Sequence, residues 1–375
     1  MNTIYFDNAA TTKIKTEVLN EMMPHLTNGY GNASSLYSIG RQSKRAIENA
    51  RKQVAELINC DPHEIYFTGG GSESDNLALK GFAYANRNKG NHIITSKIEH
   101  HAVLESCEWL QKQGFEVSYI NVNQDGVIDL EELENSIKPT TILISVMFAN
   151  NEIGTIQPIE KIAEIAKNHN ITFHSDAVQA AGNVPIDVSK MNIDMLSMSG
   201  HKINAPKGIG VLYVKKGIEI EKIIHGGHQE KDKRAGTENV AGIVGMGKAC
   251  EIANKNLDPH IKNLKKLRDY YISKLEKEFP NKIRINGTME NRLPGNANVS
   301  FEGLDGSELI FKLDEKGICV SSGSACSSGS REPSHVLKAI GVPDKYLNSA
   351  IRTTFGDNNT FEEIDYLIKT LKNFY

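Results

Sequence analysis

Four short stretches carry the side chains most able to do chemistry. In TGGGSESDN (68–76) three glycines run into Ser72, with Asp75 three residues on in a capping-box pattern. Glycines let a backbone approach a ligand closely, and free N–H groups at a helix start favour a phosphate, so Gly71 and Ser72 form a candidate anion cradle. A plain glycine turn opening a helix explains the same text. It is neither a P-loop nor a dinucleotide fingerprint, because no Gly-Lys-Ser/Thr follows. In FHSDAVQAAG (173–182) Asp176 ends a β-rich run and Gln179 follows three residues later. A carboxylate beyond the carboxyl end of a parallel strand can hold a protonated ring nitrogen, or it can simply cap the next helix. In SMSGHKINAPKGIG (197–210) Ser199, Gly200, His201 and Lys202 close another strand. A desolvated lysine there can lose its proton and form a Schiff base, although most lysines are solvated surface charges. Last, SSGSACSSGS (321–330) places Cys326 in a run with almost nothing apolar to bury it.

Elements that would position these residues are legible between about 41 and 255. Apolar residues three and four apart predict helices over 41–59, 72–88, 101–113, 159–168 and 238–253. Between them lie β-rich runs at 92–96, 115–122, 141–149, 171–177, 195–199 and 210–214. Such alternation implies an α/β fold with a mostly parallel, doubly wound sheet. After about 255 the texture changes to a charged amphipathic helix (261–278), β-rich runs at 296–302, 318–322 and 350–355, a helix over 307–316 and a C-terminal helix from Thr360. The expected division is a large domain over 15–255 and a smaller α+β domain from 1–14 and 256–375, the latter carrying the cysteine loop at about 321–333.

A phosphate cradle, an acid at a strand end and a lysine after Ser-x-His, in that order, are the parts a protein needs to grip pyridoxal phosphate at its phosphate, ring nitrogen and aldehyde. At this point the chain resembles the class V, fold-type-I pyridoxal-phosphate enzymes, and within them the cysteine desulfurases of the nitrogen-fixation and housekeeping iron–sulfur type. Nearly the whole length carries the resemblance: YFDNAATT (5–12), YGNASSLYSIGR (30–41), GSESDNLALKG (71–81), HIITSKIEHHAVL (92–104), NNEIGTIQPI (150–159), HSDAVQAAG (174–182), SGHKINAPKGIG (199–210), HGG and RAGTEN (225–239), SSGSACSSG (321–329) and AIRTTFG (350–356).

The resemblance implies that pyridoxal 5′-phosphate is the cofactor and that Lys202 binds its aldehyde. Asp176 would pair with the pyridinium nitrogen, Gln179 would hydrogen-bond the phenolic oxygen, and His100 would stack on the ring and move protons. Gly71, Ser72, Ser199 and His201 would bind the phosphate, with Thr237 reaching across from a second subunit of a homodimer, and Gly200 would also touch the cofactor. Asn151 would contact cofactor and substrate, and Arg352 would fork onto the carboxylate of L-cysteine. Cys326 would take the sulfur as a persulfide on a mobile small-residue tether and hand it to an iron–sulfur scaffold or a tRNA-thiolation carrier. No intrinsic metal is implied, although Cys326 could transiently ligate an iron–sulfur cluster together with a scaffold partner. Gly71, Val178 and Ala235 depart from residues frequent in relatives. A selenocysteine lyase, or a catalytically silent sulfur-trafficking scaffold, would share much of this pattern.

The bulk numbers set limits on partners. With 43 Lys+Arg against 46 Asp+Glu the net charge is −3, which gives no global pull toward nucleic acid or membrane. The N-terminus lacks a basic and then apolar leader, and no run approaches the roughly 18 apolar residues of a span, so a cytoplasmic location is expected. The five cysteines are scattered without a Cys-x-x-Cys pair, which reads as free thiols. Cys60, Cys107, Cys250 and Cys319 are expected as buried apolar residues. NVNQDGVIDLEE (121–132) mimics a calcium loop, but Asn121 stands where an Asp is required, and His225 and His228 lack partners at metal spacing.

Overall fold

The runs TILIS, MLSMS and GVLYV contain no charged residue, and in a computed structural model describing residues 3–322 and 333–374 every residue of all three is buried. That pattern belongs to strands covered on both faces. After a short β1 (Ile4–Tyr5), seven strands form the central sheet: β2 (Ile65–Thr68), β3 (His92–Ser96), β4 (Glu116–Ile120), β5 (Thr141–Ser145), β6 (Thr172–Asp176), β7 (Met195–Ser199) and β8 (Gly210–Val214). Their order is β2-β8-β7-β6-β5-β3-β4, and β8 pairs antiparallel with both of its neighbours. The other pairings are parallel. The fold is therefore mixed α/β around a mostly parallel sheet. Edge strand β2 was not among the expected strands; it is only four residues long and abuts the glycine run.

Two of the buried hydrophobic clusters hold most of the core. One gathers Val54, Ile94, Ile144, Phe173, Leu196 and Val211 from the sheet and its helices. The other joins Phe6 to Leu264, Tyr271, Val299, Leu313, Ile351 and Leu367 around β9 (Ile283–Ile285), β10 (Asn296–Phe301) and β12 (Ala350–Thr354). β11 (Ile318–Cys319) pairs in parallel with β1, so the N-terminus is sewn to the C-terminal core.

Two expectations are corrected. The separate helices over 238–253 and 261–278 are one helix, Val240–Glu278, which runs 39 residues through Pro259, so position 255 falls inside a continuous element. The capping box at Ser72 does not form: the helix Gly71–Asn76 begins one residue earlier with Gly70 at its cap, and Asp75 is buried. The calcium-like loop is a hydrogen-bonded turn, where Glu132 accepts from Asn121 Nδ2 at 2.9 Å and Asn123 Oδ1 accepts from the Asp125 and Val127 amides. Cys107 and Cys250 are buried as expected, whereas Cys60 and Cys319 are half-buried.

Candidate active site

Lys202 stands just past β7, where the chain turns sharply and Gly200 donates back to the Ile209 carbonyl at 3.0 Å. A Cβ at Gly200 would come 2.6 Å from Ile209 Cγ2, so glycine is what permits the turn. The turn aims the lysine amine at the N-terminal segment, where Nζ donates to the carbonyls of Ala9 and, at 2.8 Å, Ala10. Gln179 Nε2 also donates to Ala9, at 3.0 Å. Two predicted site residues, from the turns that follow β6 and β7, thus meet on one N-terminal carbonyl. His201 completes the seam: its carbonyl accepts from the Thr12 amide at 2.8 Å and its Nδ1 lies 3.2 Å from Thr11 Oγ1. Burial, with Lys202 and Lys207 nearby, pushes His201 down to about 4, so its imidazole is neutral at pH 7.

Asp176 ends β6 at the carboxyl edge of the sheet and is 5% exposed. Its Oδ1 accepts the Val178 amide at 2.9 Å. Burial pushes its carboxyl up; the His100 charge, the Val178 N–H and the Lys202 charge oppose this. His100 caps the helix His101–Lys112, and its Nδ1 accepts the Ala102 amide at 3.1 Å. An Nδ1 that accepts cannot carry the proton of the neutral ring, which is therefore on Nε2.

At the other side of the crevice Arg352, 2% exposed on β12, donates from NH1 to the Asn151 carbonyl at 3.1 Å and from NH2 to Asp7 Oδ1 at 2.8 Å. Its Nε is buried without a hydrogen-bond partner among the described residues. Asp7 was not among the predicted site residues; a carboxylate within an N-terminal motif gives no sign of an arginine some 345 residues away.

The glycine run joins edge strand β2 to the helix Gly71–Asn76. Glu73 Oε2 accepts the Gly69 amide at 2.9 Å, and Arg234 Nε donates to Glu73 Oε1 at 2.8 Å. The amides of Gly71 and Ser72, at the first turn of their helix, have no carbonyl one turn back to bond. Ser199 is buried beside them; a Cβ at Gly71 would stand 3.3 Å from Ser199 Cβ and 2.7 Å from Val178 Cγ2. A Cβ at 71 would therefore press on Val178, and one at Gly226 would stand 3.1 Å from the Cβ of the buried Ala235.

Thr237 is exposed and makes no hydrogen bond among the described residues. Cys326 and the residues around it lie outside the described residues. His228 Nδ1 lies 2.9 Å from Asp232, and no cluster of metal-ligating side chains occurs among the described residues.

The class-V aminotransferase family model matches residues 4–367. A cysteine desulfurase IscS of Methanosarcina thermophila is 54% identical over 368 residues, covering 98% of this chain and 91% of the relative. The chain belongs to the cysteine desulfurases of this family. Among solved structures, a NifS-like protein superposes with a TM-score of 0.94 at 40% identity, covering 99% of both chains. SspA in complex with cysteine superposes at 0.84 and 38% identity over 96% of this chain and all of that one. The desulfurase family is pyridoxal-phosphate dependent, and the donor set of this crevice fits that cofactor. It offers a lysine amine, a buried carboxylate under the influence of Lys202 and His100, and amides at a helix start.

Proposed function

We propose that this cysteine desulfurase binds pyridoxal 5′-phosphate and converts L-cysteine to L-alanine, leaving a persulfide on Cys326. The observation that supports the site most directly is the meeting of Lys202 and Gln179 on Ala9 beside a buried Asp176 that feels both His100 and Lys202. Lys202 would hold the aldehyde, Asp176 the ring nitrogen, Gln179 the phenolic oxygen, and Gly71, Ser72, Ser199 and His201 the phosphate, with Gly200 also touching the cofactor. When bound, the cofactor supplies an electron sink that stabilises negative charge at the substrate's Cα.

The chain's own groups do the rest. Lys202 Nζ would take the Cα proton. His100 has Nδ1 engaged by Ala102, so Nε2 is its proton-moving atom. Arg352 and Asn151 orient the amino acid, with the guanidinium forking onto its carboxylate. The Cys326 thiolate attacks the substrate sulfur, the Cβ–S bond breaks, and one proton moves to carbon. Substrate cysteine plus one thiol thus balances alanine plus one persulfide. An ordinary thiol is only a few per cent ionised at pH 7, so a base beside it is required, and His100 is our candidate.

The active unit is proposed to be a homodimer. Leu19, Met23 and Leu26 project from the helix Thr16–Thr27 at 40–59% exposure, and Tyr30, Leu36 and Tyr37 follow at 55–89%, a run of apolar surface that a second copy would cover. Thr237 would then complete the partner's phosphate site. We assign sulfur delivery to an iron–sulfur scaffold or a tRNA-thiolation carrier, in the cytoplasm. Among the described residues no helix is long and apolar enough to cross a membrane.

Two variants test the reading. Cys326→Ala should abolish alanine and sulfide production from cysteine while the protein stays yellow; full retained activity overturns the assignment. Lys202→Ala should lose the colour itself.

A further inference from the structure

Behind the crevice lies a layer of ionisable groups that the reaction does not use. Asp75, on the helix Gly71–Asn76, is 1% exposed, and its Oδ1 has no hydrogen-bond partner among the described residues. The nearest group able to carry positive charge is His174 of β6, with Nε2 at 3.9 Å from that oxygen. His174 is spent elsewhere: Nδ1 lies 2.9 Å from Ser145 Oγ and Nε2 3.0 Å from Ser197 Oγ. Burial pushes it down to about 3, so it stays neutral and offers no counter-charge.

The other charged neighbours are acids. Asp176 at the end of β6 and Glu99 just after β3 both act on Asp75 as negative charges, while the Ser197 hydroxyl is the group that favours its ionised form. Burial comes first among the causes and drives the Asp75 carboxyl well up, with the Asp176 charge adding to it. Glu99 is itself driven to about 8 by burial, despite donors from Ser96 at 2.5 Å and Met147 at 3.0 Å. Asp176, by contrast, has His100 and Lys202 acting on it in the direction that favours its ionised form. Carboxyls that feel one another's charge in a dry interior cannot all ionise, and an uncompensated buried carboxylate costs several kcal/mol.

We propose that Asp75 is a positioning residue that enters this layer as a neutral carboxylic acid, so that Asp176 alone presents a negative group to the cofactor's ring nitrogen. The reading of Asp176 comes from the proposed function; the neutrality of Asp75 stands apart from it and is tested apart from it.

Asp75→Asn keeps the shape and removes the titration, whereas Asp75→Ala removes the packing as well. In the yellow holoenzyme, Asn should leave the pH midpoint of the cofactor absorbance within about 0.3 unit and kcat within about twofold. Ala should move the midpoint by about a unit, a tenfold change in that equilibrium. In cofactor-free protein the wild type must keep a proton that its unfolded chain releases above the usual carboxylate range. Its thermal midpoint should therefore fall below that of Asp75→Asn as pH rises from about 5 to 8. The proposal is overturned if Asn shifts the absorbance as far as Ala does, if Ala shifts nothing, if the apoprotein gap closes or reverses with rising pH, or if Asn does not fold. A colourless wild type would remove the cofactor reading, and the apoprotein arm would still decide the state of Asp75.

Discussion

Arg352 NH2 and Asp7 Oδ1 stand 2.8 Å apart across the crevice wall, an ion pair that ties the last strand of the C-terminal core to the N-terminal segment. The guanidinium side chain is 2% exposed and that of Asp7 16%, so the pair is largely shielded from solvent. Lysine cannot hold Asp7, the Asn151 carbonyl and a carboxylate at once, because it lacks the planar fork. Arg352→Lys is expected to raise KM for cysteine at least about tenfold with a smaller change in kcat, read by steady-state kinetics. Asp7→Asn should cost about 3 kcal/mol in urea unfolding, since it leaves a buried cation uncompensated.

A second buried pair holds the turn toward Thr237. Arg51 donates to both carboxylate oxygens of Glu230 at 2.8 and 2.9 Å, and the Phe67 amide adds a third bond at 2.9 Å. Glu230, Lys231 and Asp232 all have positive φ, of 45°, 55° and 63°. Left-handed backbone costs about 1–2 kcal/mol per residue, and the Glu230 anchor offsets it. Glu230→Gln should therefore destabilise by about 3 kcal/mol and raise proteolytic cleavage near residue 231.

Gly71 and Val178 should behave as a coupled pair. Alanine at 71 places its Cβ 2.7 Å from Val178 Cγ2, an overpacking expected to cost about 1–3 kcal/mol and to weaken cofactor retention. Val178→Ala should recover most of that loss in the double variant. Simple additivity in a double-mutant cycle would show that the contact does not carry the effect.

Glu99 predicts how stability responds to pH. Its carboxyl is pushed up from 4.5 to about 8, chiefly by burial, so the folded protein holds a proton that the unfolded chain releases. The associated stability is complete below about 4.5 and drains away as pH rises toward about 8. Glu99→Gln should flatten the thermal midpoint across that window, most visibly in cofactor-free protein. An unchanged slope would place the proton elsewhere.

The sequence by itself determined the local elements and the identity of the chemical groups. Five-residue runs at 92–96, 195–199 and 210–214 became strands with the expected bounds, because short uncharged runs between helical stretches suit strands covered on both faces. Lys202, Asp176 and the glycine run were legible because each sits at a strand or helix end, where local grammar is strongest. Only the tertiary structure decided which groups meet. That Asp7 answers Arg352, that Lys202 and Gln179 share the carbonyl of Ala9, and that Asp75 faces away from its helix cap into a buried acid layer all depend on segments distant in the chain. Nor could local periodicity foresee one helix from Val240 to Glu278, because Pro259 reads as a breaker until packing on both cores holds the helix through it. Charge state follows the same division: residue type sets the ordinary value, and only burial among particular neighbours moves it.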